Sequence, residues 1–272
     1  MSSATSPVLA GAVGKNCTIG SIHEGVPTGN NITIGGVPTY LAEPPKSLSG
    51  KDKHLQPKVM MFFADALGAF SINNELLQDY FATQGYTVLG IDYFFGDPAG
   101  LHVTPDLVSF EPGFDLNAWV AKSRKQAETA VPTWVEGVRT RFGPNAKYSA
   151  VGYCFGDPYV MELSATDQVV AGAFVHPSGL TEDHFNKLKK PLLLSCAESD
   201  SSFPNESRRR AEDILATGHS TYHVQIFSGT THGFATRGNL TNKKRVLTPC
   251  LIVWAKEESA RSVVRWFNRF SI

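Results

Sequence analysis

Short apolar runs of strand length recur along this chain, and longer segments with helical spacing lie between most of them. A strand that is followed by a helix and then a second strand usually rejoins the same sheet as a parallel neighbour. The alternation therefore predicts an α/β fold with a mainly parallel central sheet flanked by helices. The predicted strands are residues 37–41 at an edge and, in the core, residues 59–63, 87–91, 148–153, 171–175, 192–197 and 222–227.

The predicted helices are residues 73–84, 116–142, 206–217 and 255–270. Asn73 or Asn74 is the expected cap of the first helix, and Pro132 is expected to kink or split the second. A length of 272 residues is within the range that one α/β domain fills, and no internal repeat divides the chain. We predict one domain over residues 31–272 with an N-terminal extension over residues 1–30.

The charge balance limits the class of partner. The chain has 25 basic and 25 acidic residues, so no broad field favours nucleic acid or an anionic membrane. No run approaches the roughly 18 apolar residues of a membrane span. The N-terminus lacks the basic start and apolar core of a signal peptide, so we expect a cytoplasmic protein. The expected partner is a small-molecule substrate, and the chain is expected to be a monomer or homodimer.

Four cysteines lie far apart, at spacings that fit neither a disulfide framework nor a metal-ligand motif. They are Cys17, Cys154, Cys196 and Cys250. The sequence therefore predicts reduced thiols, no metal site and no cofactor.

The most informative motif surrounds Cys154. Residues 150–156 read Ala-Val-Gly-Tyr-Cys-Phe-Gly, an apolar strand that runs into Gly-x-Cys-x-Gly and a helix-like segment. This is the nucleophile-elbow pattern with Cys in place of Ser, and its glycines allow close backbone packing. The helix N-terminus would favour a thiolate. The alternative is a buried structural cysteine at a tight turn.

An elbow nucleophile needs an acid and then a histidine, in that chain order, at the ends of later strands. Asp200 follows the strand predicted at residues 192–197, and His232 follows the strand predicted at residues 222–227. A histidine is needed to take the proton of a thiol, and the carboxylate would orient the imidazole. We therefore predict a triad of Cys154, Asp200 and His232.

An oxyanion hole needs two backbone N–H groups, and Phe155 and Ala66 are the candidates. The Pro-rich segment at residues 97–112 follows a strand end, so it is a candidate pocket wall or lid. An irregular surface connection is the alternative. His102 in that segment and His176 at a strand end are either substrate contacts or structural residues.

These residues resemble the dienelactone hydrolase family, especially its fungal members, from about residue 30 onward. The resemblance rests on residues 65–68, 73–77, 85–88, 92–98, 152–156, 176–178, Asp200 and residues 232–235. It implies a single-domain α/β-hydrolase fold and the opening of a lactone through a cysteine acyl-enzyme. By resemblance, Cys154, Asp200 and His232 take the triad roles.

The chain departs from bacterial members of that family at two places in the expected pocket. Asp65 stands where they carry a longer glutamate that guides the thiol proton, so Asp65 either has a similar role or only caps its loop. Thr236 occupies the offset of a substrate-binding arginine, and Arg237 follows one residue later. An apolar lactone or ester therefore suits the pocket at least as well as a dicarboxylate. The aromatic candidates for its wall are Tyr93, Phe94, Phe95, Phe110 and Phe234.

Asp157 directly follows the elbow, where family members usually carry a small residue. Its carboxylate either stabilises the first helical turn or opposes thiolate formation at Cys154. The leading functional hypothesis is hydrolysis of a lactone or activated ester. An alternative is a same-fold enzyme of fungal secondary metabolism that cyclises, isomerises or cleaves an intermediate. A non-catalytic small-molecule binder is the third hypothesis.

Overall fold

The computed structural model of the chain describes residues 5–14, 17–18, 20–49, 56–104, 109–238 and 248–271. Side chains are described in these ranges except at positions 48, 49 and 248–250. The tip of the candidate lid at residues 105–108 and the side chain of Cys250 lie outside this description.

Ten strands form in the described chain. They are β1 (Val8–Ala10), β2 (Asn30–Ile34), β3 (Val37–Ala42), β4 (Lys58–Phe63), β5 (Thr87–Ile91), β6 (Lys147–Tyr153), β7 (Ala171–Val175), β8 (Leu180–Thr181), β9 (Leu192–Ser199) and β10 (Tyr222–Thr231). Eight of them form one sheet in the order β10-β9-β7-β6-β4-β5-β3-β2. All pairs from β10 to β5 are parallel, whereas β3 is antiparallel to both neighbours. The prediction of a mainly parallel sheet is confirmed.

Eight α-helices connect or flank these strands. They are α1 (Lys46–Ser49), α2 (Ile72–Thr83), α3 (Leu116–Phe142), α4 (Asp157–Ser164), α5 (Glu182–Asn186), α6 (Asn205–Thr217), α7 (Phe234–Arg237) and α8 (Thr248–Phe270). Pro132 does not split α3, which runs as one helix through it. None of the helices in the described ranges has the length and apolar character needed to cross a bilayer.

The edge of the sheet differs from the prediction. Residues 37–41 were expected at an edge, but β3 pairs on both sides and β2 forms the outer strand. Gly35 and Gly36 join β2 to β3 with φ values of 56° and 78°. Two consecutive left-handed residues are what a two-residue hairpin turn requires, and glycine adopts them without a steric penalty. The hairpin was not predicted because β2 is mostly polar and lacks the apolar run by which strands were recognised.

The expected caps of α2 are also wrong. Ser71 is the residue at the cap position, and both Asn73 and Asn74 lie buried inside the helix. Their amides instead make contacts outside the helix: Asn73 Nδ2 donates to Ser21 O at 2.8 Å, and Asn74 Nδ2 donates to Asp65 Oδ1 at 3.0 Å. These two residues tie the N-terminal segment and the loop after β4 to α2.

The N-terminal segment packs on the domain. Strand β1 pairs antiparallel with β8, and Gly11 N donates to Ser202 O at 2.7 Å. Ser21 N donates to Arg237 O at 3.0 Å, and His23 N donates to Asn73 Oδ1 at 2.8 Å. The described part of the predicted extension therefore crosses the edge of the sheet where the parallel strands end.

An aromatic cluster fills the space beneath that edge. Phe155 contacts the rings of Tyr93 at 5.1 Å and Phe94 at 4.9 Å between centroids, and all three side chains are buried. Burying a phenylalanine side chain contributes about 2 kcal/mol. The cluster gives the turn after β6 a rigid support.

Candidate active site

Cys154 lies in a tight turn between β6 and α4. Its φ is 52°, which is unusual for a residue other than glycine, and its side chain is fully buried. A Cβ on Gly156 would lie 2.1 Å from Phe63 O, and one on Gly152 would lie 2.5 Å from Asp157 Oδ1. Both glycines are therefore required by close packing, and the strained turn is the geometry that an elbow predicts.

The two predicted oxyanion-hole residues come from adjacent segments. Phe155 follows Cys154 in the turn, and Ala66 lies in the loop after β4; both are fully buried. The close approach of Gly156 to Phe63 brings the turn against the end of β4. The backbone of the two candidate segments is thus held together by strand pairing and glycine packing.

Arg124 on α3 holds the turn from the other side. Its Nη1 donates to Phe155 O at 2.8 Å, and its guanidinium lies 3.7 Å from the centroid of the Phe155 ring. The same group donates to Tyr159 Oη at 3.1 Å. Sequence reasoning missed Arg124, because nothing in a helical pattern shows which surface residue reaches a distant turn.

Asp200 and His232 form a buried pair at the ends of β9 and β10. His232 Nδ1 lies 2.9 Å from each carboxylate oxygen of Asp200, and Ser202 N and Phe203 N donate to Asp200 Oδ1 at 2.8 and 3.2 Å. Burial lowers the pKa of His232, but the bonds with Asp200 and Cys17 outweigh it and raise the pKa to about 9. The carboxylate fixes the ring so that Nε2 faces the turn.

The residue that contacts Nε2 is Cys17. Its Sγ lies 3.2 Å from His232 Nε2, and the Cys17 Sγ, Cys154 Sγ and His232 ligand atoms all lie within 4.8 Å of one another. Cys154 Sγ also lies 3.7 Å from Ser178 Oγ. The predicted triad residues are therefore brought to one place, with a second thiol beside the imidazole.

The two thiols have opposite pKa shifts. The hydrogen bond with Cys154, supported by His232, lowers the pKa of Cys17 to about 4 despite burial. Burial, followed by the adjacent Cys17 sulfur, raises the pKa of Cys154 well above its usual range. Of the two thiols, Cys17 beside His232 is therefore the one whose surroundings favour the thiolate, and Cys154 is the one whose surroundings favour the thiol.

Sequence reasoning missed Cys17 because it lies in a segment without strand or helix periodicity. Burial in the hydrophobic core and long-range hydrogen bonds place it: Gly14 N donates to its Sγ at 3.4 Å, and Ser21 N donates to Arg237 O further along. No spacing between cysteines predicts this position. The single available signal was the presence of a cysteine in an extension rich in Ser, Ala and Gly.

Asp65 is engaged by its neighbours on both carboxylate oxygens. Leu67 N and Asn74 Nδ2 donate to Oδ1 at 3.1 and 3.0 Å, and Thr236 Oγ1 and Arg237 Nη1 donate to Oδ2 at 2.7 and 2.5 Å. Both Asp65 and Arg237 are buried. The loop-capping contact that the sequence offered as one role of Asp65 is present, together with an ion pair that it did not predict.

Asp157 is fully buried beneath the elbow. Burial raises its pKa well above the usual range, which favours the neutral acid. Both roles that the sequence suggested for Asp157 assumed a charged carboxylate. As a neutral acid it places no negative charge beside Cys154 and fills the space that Gly152 leaves.

The predicted aromatic residues fall into different surroundings. Tyr93 is buried in the aromatic cluster, and its Oη donates to Ala64 O. Phe234 is buried against His176, with 5.8 Å between ring centroids. Phe95 is 46 % exposed, with a φ of 52°. The structure brings Tyr93 and Phe234 toward the site and leaves Phe95 at the surface.

Two other histidines were left open by the sequence. His176 is fully buried, and its ring lies 5.0 Å from that of His232. Burial lowers the pKa of His176 well below its usual range, which favours a neutral ring packed against His232. His102 lies 2.6 Å from Asp97 and stacks on Phe114. His102 therefore belongs to a surface cluster.

Two cavities adjoin the site. One of about 560 Å³ is lined by residues that include Asp200 and His232. The other, of about 350 Å³, has mainly apolar walls and lies between the N-terminal segment, the loop after β4 and the predicted lid. The second is lined in part by Thr18, Ile22, Leu67, Phe70, Leu101 and Arg237. The described part of residues 97–112 is thus a pocket wall.

Comparison with known proteins gives a consistent result. The model of the dienelactone hydrolase family matches residues 37–271. Dienlactone hydrolase 1 of Gibberella moniliformis is 36 % identical over 272 residues, covering 98 % of each chain. The hydrolase pyvD of Aspergillus violaceofuscus is 33 % identical over 255 residues, covering 93 % of this chain and 95 % of its own.

A solved structure shows the same fold. The dienelactone hydrolase of Anabaena variabilis matches with a TM-score of 0.57 at 12 % identity, over 91 % of this chain and 99 % of its own. At 12 % identity, this match shows similarity of fold only. Together with the sheet order and the turn at Cys154, it confirms the predicted single-domain α/β-hydrolase fold.

Proposed function

This chain belongs to the dienelactone hydrolase family, and on that premise we propose that it hydrolyses a lactone or an activated ester through an acyl-enzyme on Cys154. One observation carries the proposal. A cysteine in a strained strand-to-helix turn meets a buried Asp200–His232 pair whose Nε2 faces the same point. This is the arrangement that nucleophilic acyl transfer requires.

The first half of the proposed reaction forms the thioester. The Cys154 sulfur attacks the carbonyl carbon, and the negative charge that develops on the carbonyl oxygen is stabilised by the N–H groups of Phe155 and Ala66. Collapse of the tetrahedral intermediate breaks the bond to the leaving oxygen, which takes a proton from Nε2 of His232. In a lactone the leaving oxygen stays attached to the acyl chain, so the ring opens without loss of a fragment.

The second half returns the free enzyme. His232 Nε2 removes a proton from water and keeps it, and the resulting hydroxide attacks the thioester carbon. The carboxylic acid leaves as the Cys154 sulfur recovers its proton from Cys17. Cys17 contacts both Cys154 and His232, so the proposed acceptor of the Cys154 thiol proton is the Cys17 sulfur, which holds that proton until the thioester is hydrolysed. Asp200 holds the ring through the whole cycle.

The proposed substrate is neutral and largely apolar. Arg237 is the cation closest in sequence to the position of the substrate-binding arginine, and it is already paired with Asp65 at 2.5 Å. A buried arginine that is neutralised by a carboxylate attracts a second carboxylate only weakly. The cavity of about 350 Å³ beside it has space for a small acyl group and walls that suit an apolar one.

The test is a comparison of aryl-ester and small-lactone hydrolysis by the wild type and by Cys154→Ala. The variant should lose about 1,000-fold or more of kcat/KM, because the covalent step is removed. Cys196→Ala, a buried thiol change in β9 away from the turn, is the matched control and should retain activity. Equal rates for wild type and Cys154→Ala would refute the proposal.

A trapping experiment identifies the nucleophile directly. A slowly deacylating aryl ester should leave its acyl group on the peptide that contains Cys154, as read by mass spectrometry of the digested protein. An acyl group found only on the peptide that contains Cys17 would contradict the assignment, since Cys17 is the thiol in contact with His232.

A further inference from the structure

The site brings together three side chains that can bind a metal ion, and hydrolysis does not require all three to be grouped in this way. Two thiols and one imidazole, those of Cys17, Cys154 and His232, converge within 4.8 Å in a buried space. We propose that these three side chains bind one thiophilic divalent cation, Zn²⁺, and that the bound ion switches hydrolysis off. The inference concerns the same site as the proposed function, but its test does not depend on turnover.

The distances fit one ion. Zinc binds thiolate sulfur at about 2.3 Å and imidazole nitrogen at about 2.0 Å, so a tetrahedral centre separates two sulfurs by about 3.8 Å and a sulfur from a nitrogen by about 3.5 Å. The Cys17 Sγ and His232 Nε2 atoms lie 3.2 Å apart, and the other separations do not exceed 4.8 Å. Side-chain adjustments of about 1 Å or less would complete the coordination.

The surroundings of His232 are those of a metal ligand. Metal-binding histidines almost always direct their second ring nitrogen to a carboxylate or carbonyl, which fixes the ring and leaves the other nitrogen to the metal. Here Asp200 takes Nδ1 with both oxygens at 2.9 Å, and Ser202 N and Phe203 N hold Asp200 in turn. Nε2 is left facing the two sulfurs.

The donor set selects the ion. Two thiolates and an imidazole favour zinc over the hard cations magnesium and calcium, which prefer oxygen ligands. Two thiolates also neutralise the charge of a divalent ion, which a buried site needs. Three protein ligands leave a fourth position for water, the coordination number typical of zinc sites that are not purely structural.

Zinc binding and thiol catalysis exclude each other. The ion occupies the sulfur lone pair with which Cys154 would attack and the Nε2 lone pair with which His232 would accept a proton. Full occupancy should therefore abolish ester hydrolysis, and a chelator should restore it. The switch needs no oxidant and changes no covalent bond.

Binding is measured without substrate, on the reduced full-length chain stripped of metal. In competition with a chromogenic chelator, the wild type should take up one tightly bound Zn²⁺ per chain. Cys17→Ser should weaken the affinity by about 100-fold, and Asp200→Asn by about 10- to 100-fold. Cys196→Ala should bind as the wild type does, since that thiol lies outside the cluster.

A spectrum identifies the ligands without relying on a variant that folds poorly. Cobalt substitution of the wild type should give the visible bands of a tetrahedral centre and a thiolate-to-cobalt charge-transfer band, and Cys17→Ser should lose about half of the latter. X-ray absorption of the zinc-loaded wild type should show sulfur at about 2.3 Å and nitrogen at about 2.0 Å.

Two results would overturn the zinc site: no tightly bound ion, or a coordination shell without sulfur. Affinity that is unchanged in Cys17→Ser would do the same. Tight binding with full hydrolytic activity would overturn the switch. Failure of the hydrolase proposal looks different, because Cys154→Ala would then match the wild-type rate in metal-free buffer.

Discussion

At the residue scale, the site depends on a few contacts that cross long stretches of chain. The imidazole of His232 is oriented by Asp200 and contacted by Cys17, and the turn at Cys154 is held by Arg124. Each of these side chains comes from a different element. A substitution at one of them should therefore alter the chemistry of the site while leaving the sheet intact.

Arg124→Met should slow hydrolysis through its effect on the turn. The change keeps the length and apolar stem of the side chain but removes the bonds to Phe155 O and Tyr159 Oη. Because the N–H of Phe155 is a proposed oxyanion donor, we expect kcat to fall by about tenfold with KM nearly constant. Steady-state kinetics with an aryl ester measure kcat and KM separately.

Arg139→Met is the matched control. Arg139 lies on the same helix, α3, stacks on Tyr148 at 4.8 Å and donates to Gln168 O at 3.0 Å. It has the same kinds of contact as Arg124 but at a distance from the turn, so its kcat should stay at the wild-type value. A comparable loss in both variants would show that Arg124 acts through general helix packing.

At the element scale, the strand-to-helix junction is fixed by close packing between β4, β6 and α4. Gly156 has φ of −75° and ψ of −16°, which any residue adopts, so its requirement is steric. Phe63 O occupies the place where a Cβ would lie. The close approach of β4 to the turn after β6 therefore restricts position 156, two residues after Cys154, to glycine.

Gly156→Ala should destabilise the protein strongly. The added methyl group would lie 2.1 Å from Phe63 O, a backbone atom that cannot move without disturbing the sheet. We expect a loss of about 3 kcal/mol or more in the free energy of unfolding, measured by urea denaturation. Gly14→Ala, with nothing within 4 Å of the added atom, should change it by less than about 0.5 kcal/mol. Similar losses in both variants would contradict the steric explanation.

At the scale of the whole molecule, the N-terminal segment and α8 close the domain from opposite ends of the chain. His23 Nδ1 lies against Lys256 Nζ, and His23 Nε2 lies 3.4 Å from Gly238 O. Burial and the neighbouring Lys256 ammonium lower the pKa of His23 to about 4. Burial lowers the pKa of Lys256 to about 8.

The His23 contact makes stability depend on pH. Between pH 6.5, the ordinary value for histidine, and about 4, the unfolded chain binds a proton at His23 that the folded chain does not. The free energy of unfolding should therefore decrease as the pH falls through this window. His23→Gln should reduce the loss by about 1 kcal/mol, less than the full linkage value because solvent partly screens the site.

Urea denaturation at pH 7 and pH 4.5 measures this difference. His223→Gln, a change at an exposed histidine of β10, is the control and should keep the wild-type pH dependence. If His23→Gln and the wild type lose the same stability on acidification, the buried contact with Lys256 does not control the acid response.

The core strands and the four long helices, in their chain order, follow from local sequence patterns. Every core strand was predicted to within a few residues. The apolar run that defines a strand involves neighbouring residues only, so it can be recognised in the sequence without knowledge of the fold. The positions of Cys154, Asp200 and His232 at strand ends followed from the same patterns. The hairpin of β2 and β3 was missed because β2 is polar and lies at an edge, where burial does not require an apolar run.

The surroundings of those three residues depend on tertiary contacts that no local pattern predicts. Cys17 reaches His232, Asp65 pairs with Arg237, and Arg124 holds Phe155, although no periodicity links the members of any of these pairs. Such contacts depend on how loops close over the sheet edge, and that closure is set by individual hydrogen bonds between residues far apart in the chain. Apolar periodicity indicates which side of a strand or helix is buried. It does not indicate which distant residues a loop will contact.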